Sequence, residues 1–544
     1  MRRPRPPHRR SSCAAPLVVL ALLGCQGELG AGPAGPRGSR DPRDPAELSI
    51  QPSSVRRLAR HEYDHSVTDL LGFETSASDD FAGDARIAGY TASAALRVDA
   101  TLGEQLRTAA EEIATIAVTE HLTTVVPCDH SAADCPRTFV TSLATRAFRR
   151  PATELEIEGL LAIFTLASTN GGTYEEGVSA VLQAILQSAS FLYVPQIGAG
   201  DDVDRTLDGY ETASALSYFL TASPPDAALL EAAAADALRT PDQREAQARR
   251  LLDEHPRARA QVVRFVQEWL GLDTLHYVAR DSETHDFQSL RPLMEEETRR
   301  FVEDVVFAGD GTFESLIAAD FTLANGTLRD FYGLEVTSDE WSRVALDGTP
   351  RRGLLGQASF LATHAARDES SPVKRGVTIL RRILCLDVPA PTGDIAEQAM
   401  MTPPPARTTR ERFSQHSTNA VCASCHSMID PLGFAFEDFD QLGAFRAEEN
   451  GTPVDSSGEL VGTDVNGPFA DGGELVARLA ESPQAHACFA RNLFRFASAR
   501  SSQALEASFL AAWGRMPDER RSSLIEIWIE LVRSELFVQR RAVP

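Results

Sequence analysis

The sequence predicts a mainly α-helical protein of several packed helical modules with few short strands. Three observations carry this. Apolar residues recur at three- and four-residue spacing in long runs, alternation of period two is confined to two short stretches, and no fixed repeat period runs through the chain. At 544 residues, 43% hydrophobic and 24% charged, the chain can bury several cores.

Periodicity places helices at Val55 to Leu71, Arg97 to Val118, Phe139 to Phe148 and Glu154 to Leu166. Thr153 and Glu156, just after Pro151, have capping-box spacing and set the start of the fourth. The pattern returns at Gly209 to Thr221, Ala227 to Ala237, Pro241 to Glu254, Ala258 to Leu270 and Leu293 to Phe307. Beyond these come Gly376 to Cys385, Glu474 to Glu481, Ala487 to Ala499 and Ser522 to Leu536. Phe191 to Val194 and Trp341 to Val344 are the strand candidates, too few for a large sheet. Between Val388 and Thr409, Pro389, Pro391, Pro403, Pro404 and Pro405 interrupt any helix, which predicts an extended segment, either a linker or a wrap around a bound group.

The first residues stand apart from the fold. Arg2, Arg3, Arg5, Arg9 and Arg10 precede an apolar run from Ala14 to Leu23, about half the length that spans a bilayer, which reads as an export signal over residues 1–24. Leu22-Leu23-Gly24-Cys25 resembles the lipobox of bacterial lipoprotein precursors, in which the cysteine is acylated and becomes the new N-terminus. That resemblance implies a protein tethered by lipid at Cys25, with residues 25–47, rich in Gly, Pro, Arg and Asp, as a flexible tether. The expected location is the cell envelope, facing the periplasm from the outer or inner membrane, or the cell surface. An ordinary cleaved signal is the alternative.

The formal charge is −24, and loss of the five leader arginines leaves a mature chain near −29, an acidic surface that repels phosphate backbones and steers cationic partners. Nucleic-acid binding is thereby excluded as a working class. Of the eight cysteines, Cys13 leaves with the leader and Cys25 carries the lipid, so six remain in an oxidising compartment. Cys128 and Cys135 bracket a short polar loop as a candidate disulfide; Cys385 and Cys488 are candidates for a bridge across modules, with connectivity left open by the sequence.

The remaining pair carries the chemistry. Val421-Cys422-Ala423-Ser424-Cys425-His426 contains Cys-x-x-Cys-His, the attachment sequence of c-type haem. Two cysteines three apart on one helical turn can reach the two vinyl groups of a haem, and the histidine that follows can place its imidazole on the iron. Export and motif agree, because c-type haem is attached in that compartment. The competing readings are a Cys422–Cys425 disulfide and half of a zinc site, for which no second ligand pair stands at matching spacing. Iron in such a site takes a second ligand or keeps an open face. The distal candidates are Met400 or Met401 in the proline-rich segment, then His416, with His364 and His486 more remote.

His426-Ser427-Met428-Ile429-Asp430-Pro431-Leu432-Gly433-Phe434-Ala435-Phe436-Glu437-Asp438-Phe439-Asp440 resembles the haem-motif segment of a family of large bacterial proteins common in planctomycetes and myxobacteria. That family is assembled from domains of unknown function 1587, 1595, 1592, 1588 and 1585. The likeness continues through Arg56-Arg57-Leu58 to Asp69-Leu70-Leu71-Gly72, Ala147-Phe148-Arg149-Arg150-Pro151, and Tyr210-Glu211-Thr212-Ala213 to Phe219-Leu220. It includes Asp320-Phe321-Thr322, Tyr332-Gly333-Leu334, Ser370 to Gly376 and Phe494-Arg495-Phe496-Ala497 with Arg500. It implies helical domains at about 48–125, 126–200 and 205–340, a cytochrome c-like haem domain at 345–450 and a C-terminal domain at 460–540. It implies no reaction.

His61-Glu62-Tyr63-Asp64-His65 matches His-Glu-x-x-His, the zinc metalloprotease pattern. Ala59, Tyr63, Val67, Leu70 and Leu71 form the apolar side of this helix, which places both histidines on the polar side beside Arg57, and no third ligand follows at protease spacing. The leading expectation is therefore a one-haem lipoprotein that transfers electrons to or from a redox partner protein, with the membrane met through the lipid alone. The alternatives are a peroxidase-like haem-dependent oxidoreductase with an open distal site, a structural or binding scaffold, and last a zinc metalloprotease.

Overall fold

A computed structural model describes residues 50–91, 94–169, 171–388, 406–418 and 420–542. Helix accounts for 58% of the structure, and the strands among the described residues are two to four residues long, so the mainly α-helical expectation holds. The leader, the tether, Cys25, Met400 and Met401 lie outside the described residues. No described helix is long and apolar enough to cross a membrane.

The first two segments share one core. Helices Ala100–Glu120, Cys135–Phe148, Glu154–Ser168 and Tyr174–Leu186 bring together Leu106, Ile113, Phe139, Leu143, Leu160, Val181 and Ile185, all buried. Thr153 caps the third of these: its hydroxyl accepts from Glu156 N–H at 3.3 Å, and the Glu156 carboxylate accepts from Thr153 N–H at 2.8 Å. Arg149 ends the preceding helix in a left-handed conformation and is 2% exposed. Its guanidinium donates to the carbonyls of Ser190, Phe191 and Tyr193, while Arg150 pairs with Glu156. The Phe-Arg-Arg-Pro signature thus joins two chain reversals by hydrogen bonds. Cys128 and Cys135 are bonded as a disulfide across the loop before this helix.

Val55 to Arg57, expected as helix, is instead strand Ser54–Arg57, antiparallel to Tyr193–Gln196, and the helix begins at Arg60. The strand expected at Phe191 to Val194 accordingly starts two residues later, after the short helix Ala189–Leu192. Pro292 lies inside helix Phe287–Glu303, which starts before the expected Leu293 because Asp286 caps it by accepting from Gln288 N–H at 3.1 Å.

One continuous apolar core then takes in Tyr90 and runs from Leu207 to Val538. Its centre is aromatic: Phe265, Trp269, Phe489, Phe496 and Trp528 pack, mostly edge to face, at centroid distances from 5.0 to 6.5 Å. Each ring contributes on the order of 1.5–3 kcal/mol by burial. The Trp269 N–H donates to the Arg382 carbonyl at 2.7 Å, tying helix Ala258–Leu270 to the turn Ile379–Ile383. Cys385 is bonded to Cys488 on helix Pro483–Ser498.

A buried carboxyl sits between hairpin Phe321–Ala324/Ser342–Ala345 and helix Phe287–Glu303. Glu297, fully buried, accepts from the Thr322 hydroxyl and the Tyr332 hydroxyl, each at 2.6 Å; Tyr332 in turn accepts from Ala358 N–H at 2.9 Å. Burial raises the Glu297 pKa to about 7, against the pull of its two hydroxyl donors. The folded state therefore binds a proton that the unfolded chain has released, between an unfolded value near 4.5 and about 7. Stability is expected to fall as pH rises through that window, by up to about 1.4 kcal/mol per pH unit. Glu297→Gln should flatten this slope in urea melts recorded from pH 5 to 7.5; an unchanged slope assigns it to other groups.

Candidate haem-attachment site

Helix Ala420–Phe434 carries the cysteine motif, and the chain before and after it explains its placement. Helix Pro372–Thr378 starts with Ser371, whose hydroxyl accepts from Lys374 N–H, and Pro372 at its first turn. It crosses the motif helix closely. A Cβ at Gly376 would collide with the carbonyl oxygen of Ile429, and one at Gly433 with that of Pro372, so both crossing positions require glycine.

Arg375 locks the crossing. Fully buried, it donates to the carbonyls of Phe436 at 2.8 Å, Phe439 at 3.1 Å, Asp440 at 2.8 Å and Leu361 at 3.3 Å, and lies 3.6 Å from Glu437. Glu437 also accepts from Ser370 at 2.7 Å and Arg446 at 2.8 Å. Burial lowers the Arg375 pKa to about 10 and raises that of Glu437, yet the Arg375 guanidinium stays charged at neutral pH. The segment after the motif is therefore fastened to the helix that crosses it. Arg410 of helix Thr409–Thr418 covers the Phe434 ring at 4.4 Å and donates to the Asp455 carbonyl at 2.9 Å.

Cys422 and Cys425 are unbonded thiols, both half-buried, one helical turn apart. The other four cysteines of the described residues are committed to two disulfides. His426 follows, its side chain 21% exposed, with Nδ1 2.8 Å from Oδ1 of Asp430, which is 5% exposed. Cys425 and Met428 rest against the main core, as do Val373 and Val377 of the crossing helix, while Val421 and Ser424 face solvent. Two thiols at i and i+3, an adjoining imidazole held through Nδ1, and half-buried apolar positions beside them fit a thioether-linked porphyrin bound through Nε2.

His416 stands in helix Thr409–Thr418. His364 lies elsewhere: Nε2 is 2.8 Å from the Leu270 carbonyl and Nδ1 3.3 Å from the Thr378 hydroxyl. His486 Nε2 is 2.8 Å from the Ala480 carbonyl, beside the Phe313 ring. Both imidazoles serve packing in these positions.

The His-Glu-x-x-His helix is occupied by structure. Glu62, 2% exposed, accepts from Ala59 N–H at 2.8 Å, capping its own helix, and pairs with Arg56. That carboxylate is committed, which removes the general base the pattern requires. The face expected to be polar beside Arg57 is covered: His65 Nδ1 donates to the Ala222 carbonyl at 3.0 Å, and burial lowers the pKa of His65 and, further, of His61 beside Arg264. Among the described residues no group of three His, Cys, Asp or Glu is arranged to hold a metal ion.

Asp430, Arg375 and Gly433 are the residues that periodicity and motif spacing did not single out. For Asp430 a signal existed, since four residues separate it from His426, one helical turn on the same face.

The fold and site define a helical multi-domain protein organised about a Cys-x-x-Cys-His helix. Four family models match it in succession, each described as a protein of unknown function: PSD3 (DUF1587) over residues 56–119, PSD5 (DUF1595) over 135–195, PSD4 (DUF1592) over 207–334 and PSCyt3 (DUF1588) over 351–449. The chain belongs to the planctomycete multi-domain family that these domains build. No curated protein and no solved structure matches it.

Proposed function

We propose that this protein is an exported, lipid-anchored carrier of one covalently bound c-type haem that passes single electrons in the cell envelope. Cys422 and Cys425 form the thioethers, His426 Nε2 binds the iron, and Cys25 carries the lipid. The observation that carries the reading is the pair of unbonded thiols on one helical turn beside an oriented imidazole, in a chain whose other described cysteines are joined in disulfides. The label PSCyt3 on the domain that spans the motif agrees with it. When bound, the haem supplies a one-electron iron couple.

The chain's own residues do the rest. Arg375 and the Gly376/Gly433 crossing hold the motif helix in place with Cys422 and Cys425 half-buried, where they would hold the group. The acidic surface favours a cationic redox partner. Met400, Met401 and His416 are the candidates for the distal ligand.

Protein matured in a host with cytochrome c assembly is expected to give a c-type pyridine haemochrome and a low-spin reduced spectrum unchanged by carbon monoxide. Colourless exported protein, with the two sulfurs bonded to each other, would refute haem attachment. A covalent haem that binds carbon monoxide or peroxide readily would refute the electron-carrier role in favour of an oxidative catalyst.

A further inference from the structure

The imidazole of His426 is hydrogen-bonded to a carboxylate. His426 and Asp430 are four residues apart on helix Ala420–Phe434, so their side chains lie one above the other on a single face. The 2.8 Å contact joins Nδ1 to Oδ1, and Asp430 is far more buried than the imidazole it touches. Aspartate in a buried helix interior has a poor intrinsic propensity and a large desolvation cost, so its place there calls for a charge-assisted partner. The neighbouring residues enforce the burial. Ile429 lies under the Gly376 crossing and Pro431 occupies the next position, with Gly433 against Pro372 one turn on.

We infer that Asp430 is a positioning and tuning residue: its carboxylate accepts the Nδ1 proton of His426 in a hydrogen bond, gives the imidazole imidazolate character, and biases the bound iron toward the ferric state. This rests on the haem reading above and deepens it. A partner on the distal nitrogen of a metal-bound histidine fixes the ring's tautomer and raises its basicity as a donor. A full negative charge in a poorly solvated site does this more strongly than a neutral carbonyl. A more basic ligand stabilises the higher oxidation state, so the potential falls. No proton leaves the pair and no further reactant is involved; the proton stays between Nδ1 and Oδ1 in both oxidation states.

The test uses the full chain loaded with haem, comparing the parent with Asp430→Asn and Asp430→Glu. Asparagine keeps the shape and an acceptor oxygen but removes the charge. Asp430→Asn should retain covalent haem by haemochrome assay, while the midpoint potential rises and the electron paramagnetic resonance g-values of the low-spin ferric haem shift. A tenfold loss of ferric preference reads as about 59 mV for this one-electron couple. Asp430→Glu should return both readouts toward the parent. Haem-loaded Asp430→Asn with an unchanged potential and unchanged g-values overturns the inference and leaves haem attachment standing. A parent without covalent haem overturns the attachment itself. Should Asp430→Asn fail to mature, the parent decides: ferric g-values of neutral-imidazole ligation overturn the inference, and imidazolate-like ones support it.

Discussion

Serine at both Cys422 and Cys425 is expected to abolish covalent haem altogether, giving a folded protein with no haem stain after denaturing electrophoresis and no c-type haemochrome. Sulfur is the atom that adds across a vinyl group to form a thioether, and the serine hydroxyl, nearly the same size, does not replace it in that chemistry. Both side chains are half-buried on a helix whose packing is borne by other residues, Ile429, Leu432 and Phe434 among them. The double change should therefore leave far-ultraviolet circular dichroism near that of the parent matured without haem. Each single serine variant should retain at most one thioether, read as a shifted haemochrome band. Full covalent loading of the double variant would remove the motif from the argument.

Arg375→Ala is expected to cost about 3–5 kcal/mol, the range seen when one partner of a buried ion pair is removed. The guanidinium serves three backbone carbonyls of the segment that follows the motif and that of Leu361 before it, and lies near Glu437. Alanine leaves those carbonyls without their donor and a buried carboxylate held by Arg446 and Ser370 alone among the partners described above. The check is the shift in urea midpoint with the slope of the transition unchanged. Arg375→Lys should lie between, since an ammonium keeps the charge but loses the planar fork that spans Phe436, Phe439 and Asp440. A loss under about 1 kcal/mol for alanine would mean that the crossing is fastened by the two glycines and apolar contact instead.

Both predictions concern the part of the molecule that the sequence made most legible, and the reason is locality. The pentapeptide from Cys422 to His426 is contiguous, so its chemistry is readable without knowing the fold. Helix starts were legible on the same ground: Thr153 with Glu156 is a signal within one turn, the periodic run Gly209 to Thr221 one within a single helix, and the observed helices begin there. Val55 to Arg57 failed the same treatment because its partner, Tyr193 to Gln196, is more than a hundred residues away and a pairing at that range leaves no periodicity behind. The run Leu293 to Phe307 started too late because the cap and first turns, Asp286 to Arg291, precede Pro292 within the same helix and carry little apolar periodicity.

At the site the division is similar. His426 was legible and Asp430, one turn later, was readable in principle, but an aspartate in a helix carries no signal of burial until the crossing helix is known. Arg375 stands some fifty residues before the motif, and only the close approach permitted by Gly376 and Gly433 reveals what it grips. Which of Met400, Met401 and His416 would complete the proposed haem site is a matter of chain path and not of local pattern.

Strand Gln51–Pro52 runs parallel to Gln539–Arg541, which on its other edge pairs with Asp204–Thr206, and Gln51 donates to the Leu536 carbonyl at 2.8 Å. The opening of the body is thus closed by residues that leave the ribosome nearly five hundred positions later. Without them two strand edges stay bare, so a very distant contact completes the fold. A nonsense codon that removes only the last handful of residues should consequently be as damaging to a newborn chain as a deletion deep in its interior.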